Sequence, residues 1–287
     1  VEIAGAENVI LLAPTGKAAE RISAITINGH ARTIHKFCAM VETGAIPKPT
    51  KKLIVVDEVS MVGQPLLCRL FLNTSETCNF LFIGDANQLS SIDKGKILED
   101  LIQSGEIPVT NLTKCLRSND AIARNSDFVL RRHPFGTYIE DDRCRWLTMN
   151  NDDKQTALDS ILKLYTKLSG IYGKSETCIL VPFRRTQIAG IITTTLINEK
   201  LHEMNPNHVI KEMPKWKRGD RIIVQHNCYN IYADGSDTSI YNGDVGYIGE
   251  YSKRLNRLHI ILDTGKNIWL TSDEMDDYVD YGYAITI

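Results

Sequence analysis

The sequence runs to 287 residues, 43% of them hydrophobic, which is enough for two modest cores and makes two domains the expectation. A formal net charge of −2 gives no global pull toward nucleic acid, so any such contact must use a local groove. No apolar run approaches the roughly 20 residues that span a bilayer, and the start VEIAGAENV lacks a basic stretch followed by an apolar one. The seven scattered cysteines include no Cys-x-x-Cys pair and no clustered His, which argues against a zinc site and reads as reduced thiols of a soluble cytosolic protein.

In chain order, Asn8 to Leu12 (NVILL) is a buried-strand run that ends in APTGKAA. The Thr-Gly-Lys fragment is not a phosphate loop. Such a loop needs a Gly separated by four residues from Gly-Lys and a Ser or Thr after Lys, and those positions hold Leu11 and Ala18. The spacing predicts a helix from Lys17 to Ile25, with Thr15 as its N-cap. After Thr33-Ile34-His35, the stretch 38–52 gathers Gly44, Pro47, Pro49 and lysines and reads as a surface excursion.

Leu53 to Val56 is a second buried strand, and it runs straight into Asp57 and Glu58. Charged residues seldom go inside, so the pair belongs at the strand's carboxyl end, where open α/β sheets hold their ligands. In nucleoside-triphosphate motors this is the Walker B arrangement, in which Asp holds Mg²⁺, usually through water, and Glu polarises the attacking water. Taken alone, VVDE fits equally well a strand end with two solvated acids. Asn79 to Asp85 (NFLFIGD) is a third strand of this kind, followed by Ala86, Asn87, Gln88, Leu89 and Ser90. Helical spacing covers Lys94 to Gln103, Ile107 to Leu112 reads as a short strand, and helices are expected at Ala121 to Arg131 and Lys154 to Leu168. Thr177 to Pro182 is a further buried strand. From Lys215 the pattern changes to short strands with Gly-rich turns, as in a small β-barrel.

The ordered pair DEVSM and GDANQLSSI resembles motifs II and III of superfamily 1 helicases, specifically the RecD-like DNA helicases, which have phage Dda and eukaryotic Pif-type enzymes as relatives. The resemblance implies two RecA-like parallel-sheet domains, at 1–113 and 114–287, with an SH3-like β-barrel insert at about 215–272. It implies ATP and Mg²⁺ as cofactors, held by Asp57, Glu58, Gly84, Asp85, Gln88 and Arg117. In that scheme Asp57 and Glu58 serve hydrolysis, Asp85 belongs to the turn that positions Gln88, and Gln88 senses the γ-phosphate. Arg117, in LTKCLRS, resembles the motif IV arginine that reaches the same phosphate, a task suited to a planar, permanently charged fork.

APTGKAAERI resembles motif Ia and TIH motif Ib, which implies contact between single-stranded DNA and Pro14, Thr15, Lys17, Thr33 and His35. The plainer readings are a helix cap for Thr15 and a packed or capping residue for His35. PFRRTQIAGI resembles a strand-to-helix turn of the family, with Arg184 and Arg185 as backbone contacts or solvated arginines. The family places a strand-separating pin between motifs Ib and II, where 38–52 is short. The run Lys-Trp-Lys-Arg at 215–218 reads as an exposed turn or as a surface that stacks on bases.

The closing YGYAITI resembles the opening of motif V and adds Thr286 to the DNA-binding set. The expectation is a piece of a motor whose Walker A loop lies upstream and whose motif VI lies downstream, inactive as it stands. The longer protein is expected to be an ATP-dependent 5′-to-3′ helicase or translocase on single-stranded DNA, at duplex ends or forks, in recombination, repair or replication. It would work in the cytoplasm or wherever its DNA is, with no membrane partner. A non-catalytic DNA-binding relic and a viral RNA helicase are the alternatives.

Overall fold

A computed structural model describes residues 5–26, 30–113, 121–141, 144–146, 153–186, 190–233 and 236–286. Its contacts divide the chain into two units, Val1–Thr148 and Met149–Ile287, and the functional boundary expected after residue 113 falls inside the first.

In the first unit the apolar runs pair in parallel. Strands β1 (Val9–Ala13), β2 (Arg32–Thr33), β3 (Leu53–Val56) and β4 (Asn79–Phe82) form one sheet in the order β2-β1-β3-β4. The connections are helices α1 (Gly16–Ile25), α2 (Ile34–Glu42) and α3 (Gln64–Leu72), as parallel strands require. Thr15 and Thr33 start α1 and α2 by accepting hydrogen bonds from the Ala18 and Lys36 amides, at 3.2 and 3.1 Å. Leu12, Ile34, Phe37, Ile54, Val56 and Leu70 are fully buried between sheet and helices. Burial of this kind contributes about 1.5–3 kcal/mol per large side chain.

The strand β4 departs from the double-sided burial that its composition predicts. Leu81 is 48% exposed, because β4 is an edge of the described sheet and one of its faces meets solvent. Helices α4 (Ile97–Ser104) and α5 (Ala121–Leu130) complete the unit. The short strand expected at Ile107 to Leu112 is irregular backbone, with Leu112 93% exposed. A β-prone run needs a neighbouring strand to satisfy its amides, and none of the described strands lies against it.

The second unit has an α/β part and a β-rich part. The long helix α6 (Lys154–Tyr172), capped by Asp153, and α7 (Thr194–Met204), capped by Thr193, enclose a small core with strand β5 (Ile179–Leu180). The β-rich part contains β6 (Val209–Ile210), β7 (Met213–Lys217), β8 (Arg221–Val224), β9 (Cys228–Ala233) and β10 (Ser236–Ile240). It continues with β11 (Val245–Ser252), β12 (Arg257–Leu262), β13 (Asn267–Leu270) and, after α8 (Ser272–Tyr278), β14 (Val279–Tyr281). Five of these make an antiparallel sheet, β13-β12-β11-β8-β14, while β6–β7 and β9–β10 are hairpins. The chain then returns to the α/β part as β15 (Ala284–Ile285), parallel to β5. The fold is therefore α/β, with a four-stranded parallel sheet in the first unit and a β-rich segment inside the second, which fits the RecA-like expectation.

Trp216 corrects the reading of the Lys-Trp-Lys-Arg run. It is 1% exposed, in the core of the β-rich part with Ile222, Ile248 and Leu258, so it cannot stack on a base. Lys215 to Lys217 belong to strand β7, whose alternation sends Trp216 inward, and only Arg218 lies in an exposed turn.

Among the described residues, no helix is long and apolar enough to cross a membrane.

Candidate functional site

The acidic pair stands where β3 ends. The Asp57 amide donates to Leu12 O at 3.0 Å, which prolongs the β1–β3 pairing by one residue and fixes the start of the turn. The Glu58 amide then donates to the Asp57 carboxylate at 2.9 Å. Glu58 itself has φ +53° and ψ +40°, a left-handed backbone that a residue with a Cβ adopts only at a cost. Both carboxylates are half-buried.

Motif III is folded against this turn. The Ile83 amide donates to Val56 O, and the Val59 amide donates to Ile83 O, both at 2.9 Å. Gly84 comes so close that a Cβ there would lie 2.9 Å from Leu98 Cδ2, 3.0 Å from Val59 Cγ1 and 3.1 Å from the Ser60 amide nitrogen. Asp85 then closes a tight turn: its carboxylate accepts from the Asn87 amide at 2.9 Å and its carbonyl from the Gln88 amide at 3.1 Å. The exposed Gln88 thus follows a turn built on the acidic pair's own neighbours. Asp57, Glu58, Gly84 and Asp85 are brought together, while Arg117 lies outside the described residues.

Two carboxylates at a strand end are hard oxygen donors too few to cage a metal, and among the described residues no group of three or more His, Cys, Asp or Glu side chains gathers for one. That donor set fits Mg²⁺, which keeps several waters and takes other ligands from phosphate.

Thr15 and His35 follow the carboxyl ends of β1 and β2, which are parallel neighbours with Ala13 opposite Thr33. His35 and Lys17 are exposed, whereas Pro14 and Thr15 are half-buried. Thr33 is buried and its hydroxyl caps α2, so the turn accounts for it fully.

The second unit contains a cavity of about 610 Å³ between its α/β and β-rich parts. Arg184, Arg185 and Thr286 line it from the turn after β5 and the end of β15; Lys215, Gln225, His226 and Asn242 line it from the β-rich part. Four carboxylates, Glu199, Asp276, Asp277 and Asp280, share its walls with these cations. Sequence reasoning missed Gln225, His226 and Asn242, because nothing local connects them to the arginines; only the return of the chain through β14 brings them near.

Buried polar groups hold the walls in place. Asn198 on α7 donates to Tyr281 O and Ala284 O at 2.9 and 3.0 Å and accepts from the Ala284 amide at 2.7 Å. The fully buried Asp220 accepts from the Lys217 amide, Asn205 Nδ2 and Tyr283 Oη, all at 2.7 Å, and pairs with His202 Nδ1 at 2.9 Å. A buried carboxylate is tolerated only with such a set of donors. Burial, followed by the nearby Asp220 charge, raises the Tyr283 hydroxyl well above its ordinary range and keeps it a donor.

Residues 1–140 match the AAA domain family. The ATP-dependent RecD2 DNA helicase of Deinococcus radiodurans is 26% identical over 96% of this chain, and that alignment takes in both units. In sequence the chain is similar to the RecD-like branch of the superfamily 1 helicases. The RecBCD enzyme subunit RecD of Mycobacterium tuberculosis is 30% identical over 39% of this chain, and mouse DNA helicase B 24% over 78%. The chain spans 36% of the length of the Deinococcus protein and 23% and 24% of the other two. A solved Pif1 structure from Bacteroides sp, in complex with ADP-AlF4, aligns with 97% of this chain and 73% of its own at 17% identity. Its TM-score of 0.36 is too low a superposition for a comparison of sites.

Proposed function

We propose that this chain serves in an ATP-driven motor that moves 5′ to 3′ on single-stranded DNA in recombination, repair or replication. The observation that supports it most is the packing of Ile83 and Gly84 against Val56, Val59 and Ser60, the residues that flank the Asp57-Glu58 pair, which brings the segment ending in Gln88 beside the turn that carries the acids. In this reading Asp57 would hold Mg²⁺ and Glu58 would take the proton of the attacking water. When bound, Mg²⁺ supplies charge neutralisation for the phosphate oxygens. Gln88 hydrogen-bonds the γ-phosphate, and Arg117 contributes a second charged contact.

DNA-binding residues fall in two groups. Pro14, Thr15, Lys17 and His35 contribute from the first unit, with Thr33 holding the motif Ib turn. Arg184, Arg185 and Thr286 contribute from the cavity of the second, whose β-rich wall we read as the SH3-like insert. A functional boundary after residue 113 belongs to the same reading.

The test is Glu58→Gln in the longest natural form of the protein. ATP and DNA binding should persist while DNA-stimulated turnover falls by roughly 10²-fold or more, the scale of a positioned general base. Turnover like the wild type would remove Glu58 from catalysis.

A further inference from the structure

The geometry points to Asp280 as an internal stand-in for a DNA phosphate, holding Arg184 until a single strand displaces it. This rests on the proposed reading of the cavity as a DNA groove and adds a regulatory contact to it. Arg184 Nη2 donates to Asp280 Oδ2 at 3.0 Å, a pairing of residues 96 positions apart, while Asp280 Oδ1 accepts from the Tyr281 amide at 2.9 Å. The two partners are held unequally. Asp280 sits on β14, in register opposite Ile223 of β8, whereas Arg184 belongs to the irregular turn after β5. The carboxylate is the fixed member, and the guanidinium is the one that can exchange partners.

Carboxylate and phosphate oxygens satisfy the same guanidinium fork, so an incoming backbone phosphate competes for a contact that is already made. The pair is open to solvent, with side chains 51% and 37% exposed, and exposed pairs of this sort are weak. Asp280 therefore tunes the grip and does not lock it. Its charge also belongs to the walls that a strand must enter, beside Asp276 and Asp277. The occupant expected is a single-stranded DNA backbone, which presents one row of phosphates to a cavity of about 610 Å³.

A double-mutant cycle tests this, with a short fluorescent oligothymidylate as the probe and the 287-residue chain as the protein. Asp280→Asn keeps an acceptor for the Tyr281 amide and removes the charge; Asp280→Ser serves as a second variant should the first fail to fold. Asp280→Asn should tighten binding about two- to fivefold, the range set by an exposed ion pair. In an Arg184→Ala background the same change should gain nothing. An equal gain in both backgrounds would mean a general charge effect and overturn the stand-in, as would no gain or a loss in the wild-type background. If Arg184→Ala leaves oligothymidylate binding untouched, the DNA reading of the cavity fails first and the stand-in fails with it.

Discussion

At Glu58 a strained backbone and a candidate catalytic group coincide. Its φ of +53° costs a residue with a Cβ about 1–2 kcal/mol, and glycine is the residue relieved of it. Glu58→Gly should therefore be more stable than Glu58→Ala by about 1 kcal/mol in urea denaturation, the reverse of the usual order for these two residues. If the alanine variant proves the more stable, the left-handed turn is not formed in solution. The acids themselves were legible in the sequence, since four apolar residues leading into two carboxylates place the carboxylates at a strand end. The left-handed turn was not, because it arises from Val59 and Gly84 pulling the chain back against β4.

Helices α2 and α3 show how an element is tied by charge at its rim. The Glu42 carboxylate accepts from Arg69 Nε and Nη2 at 2.9 and 2.6 Å and from Asn73 Nδ2 at 3.0 Å. The Arg69 hydrogen bonds, then the Asn73 one, hold its pKa at about 2, below the ordinary 4.5. A carboxylate lowered on folding contributes stability that is complete above pH 4.5 and is lost as pH falls toward 2. Subtracting the melting temperatures of Glu42→Gln from those of the wild type should give a difference that shrinks over that window. A difference flat in pH would mean that the pair is not formed. The periodicity that predicts α2 and α3 says nothing about this tie, since Glu42 and Arg69 lie on different helices. The strand expected at 107–112 failed for a related reason: local preference was present but a pairing partner was not.

For the whole molecule, charge decides how DNA would be held under the proposed function. A net charge of −2 leaves no general attraction, so in that reading the cations lining the cavity, Arg184, Arg185 and Lys215, would do most of the work in the second unit. Three phosphate contacts on a single strand predict a slope of about −2 for log affinity against log salt. Titration of oligothymidylate binding between low and moderate salt checks this, and a slope several-fold steeper would mean that a much wider surface takes part.

The sequence by itself determined strands β1, β3 and β4 of the first unit, the cap Thr15, the acidic pair, the β-rich change of pattern after Lys215 and the likeness to RecD-like helicases. All of these rest on local pattern: runs of apolar residues, periodicity and motif order along the chain. Only the tertiary structure decided that Trp216 is core, that Arg184 is paired with Asp280, and that Asp220 joins α7, β7 and Tyr283 in one buried network. Those contacts join residues that are neighbours only after the chain has left the α/β part through β6, turned through the β-rich segment and come back as β14 and β15. Burial and ion pairing depend on which surfaces meet, and local sequence has no term for that.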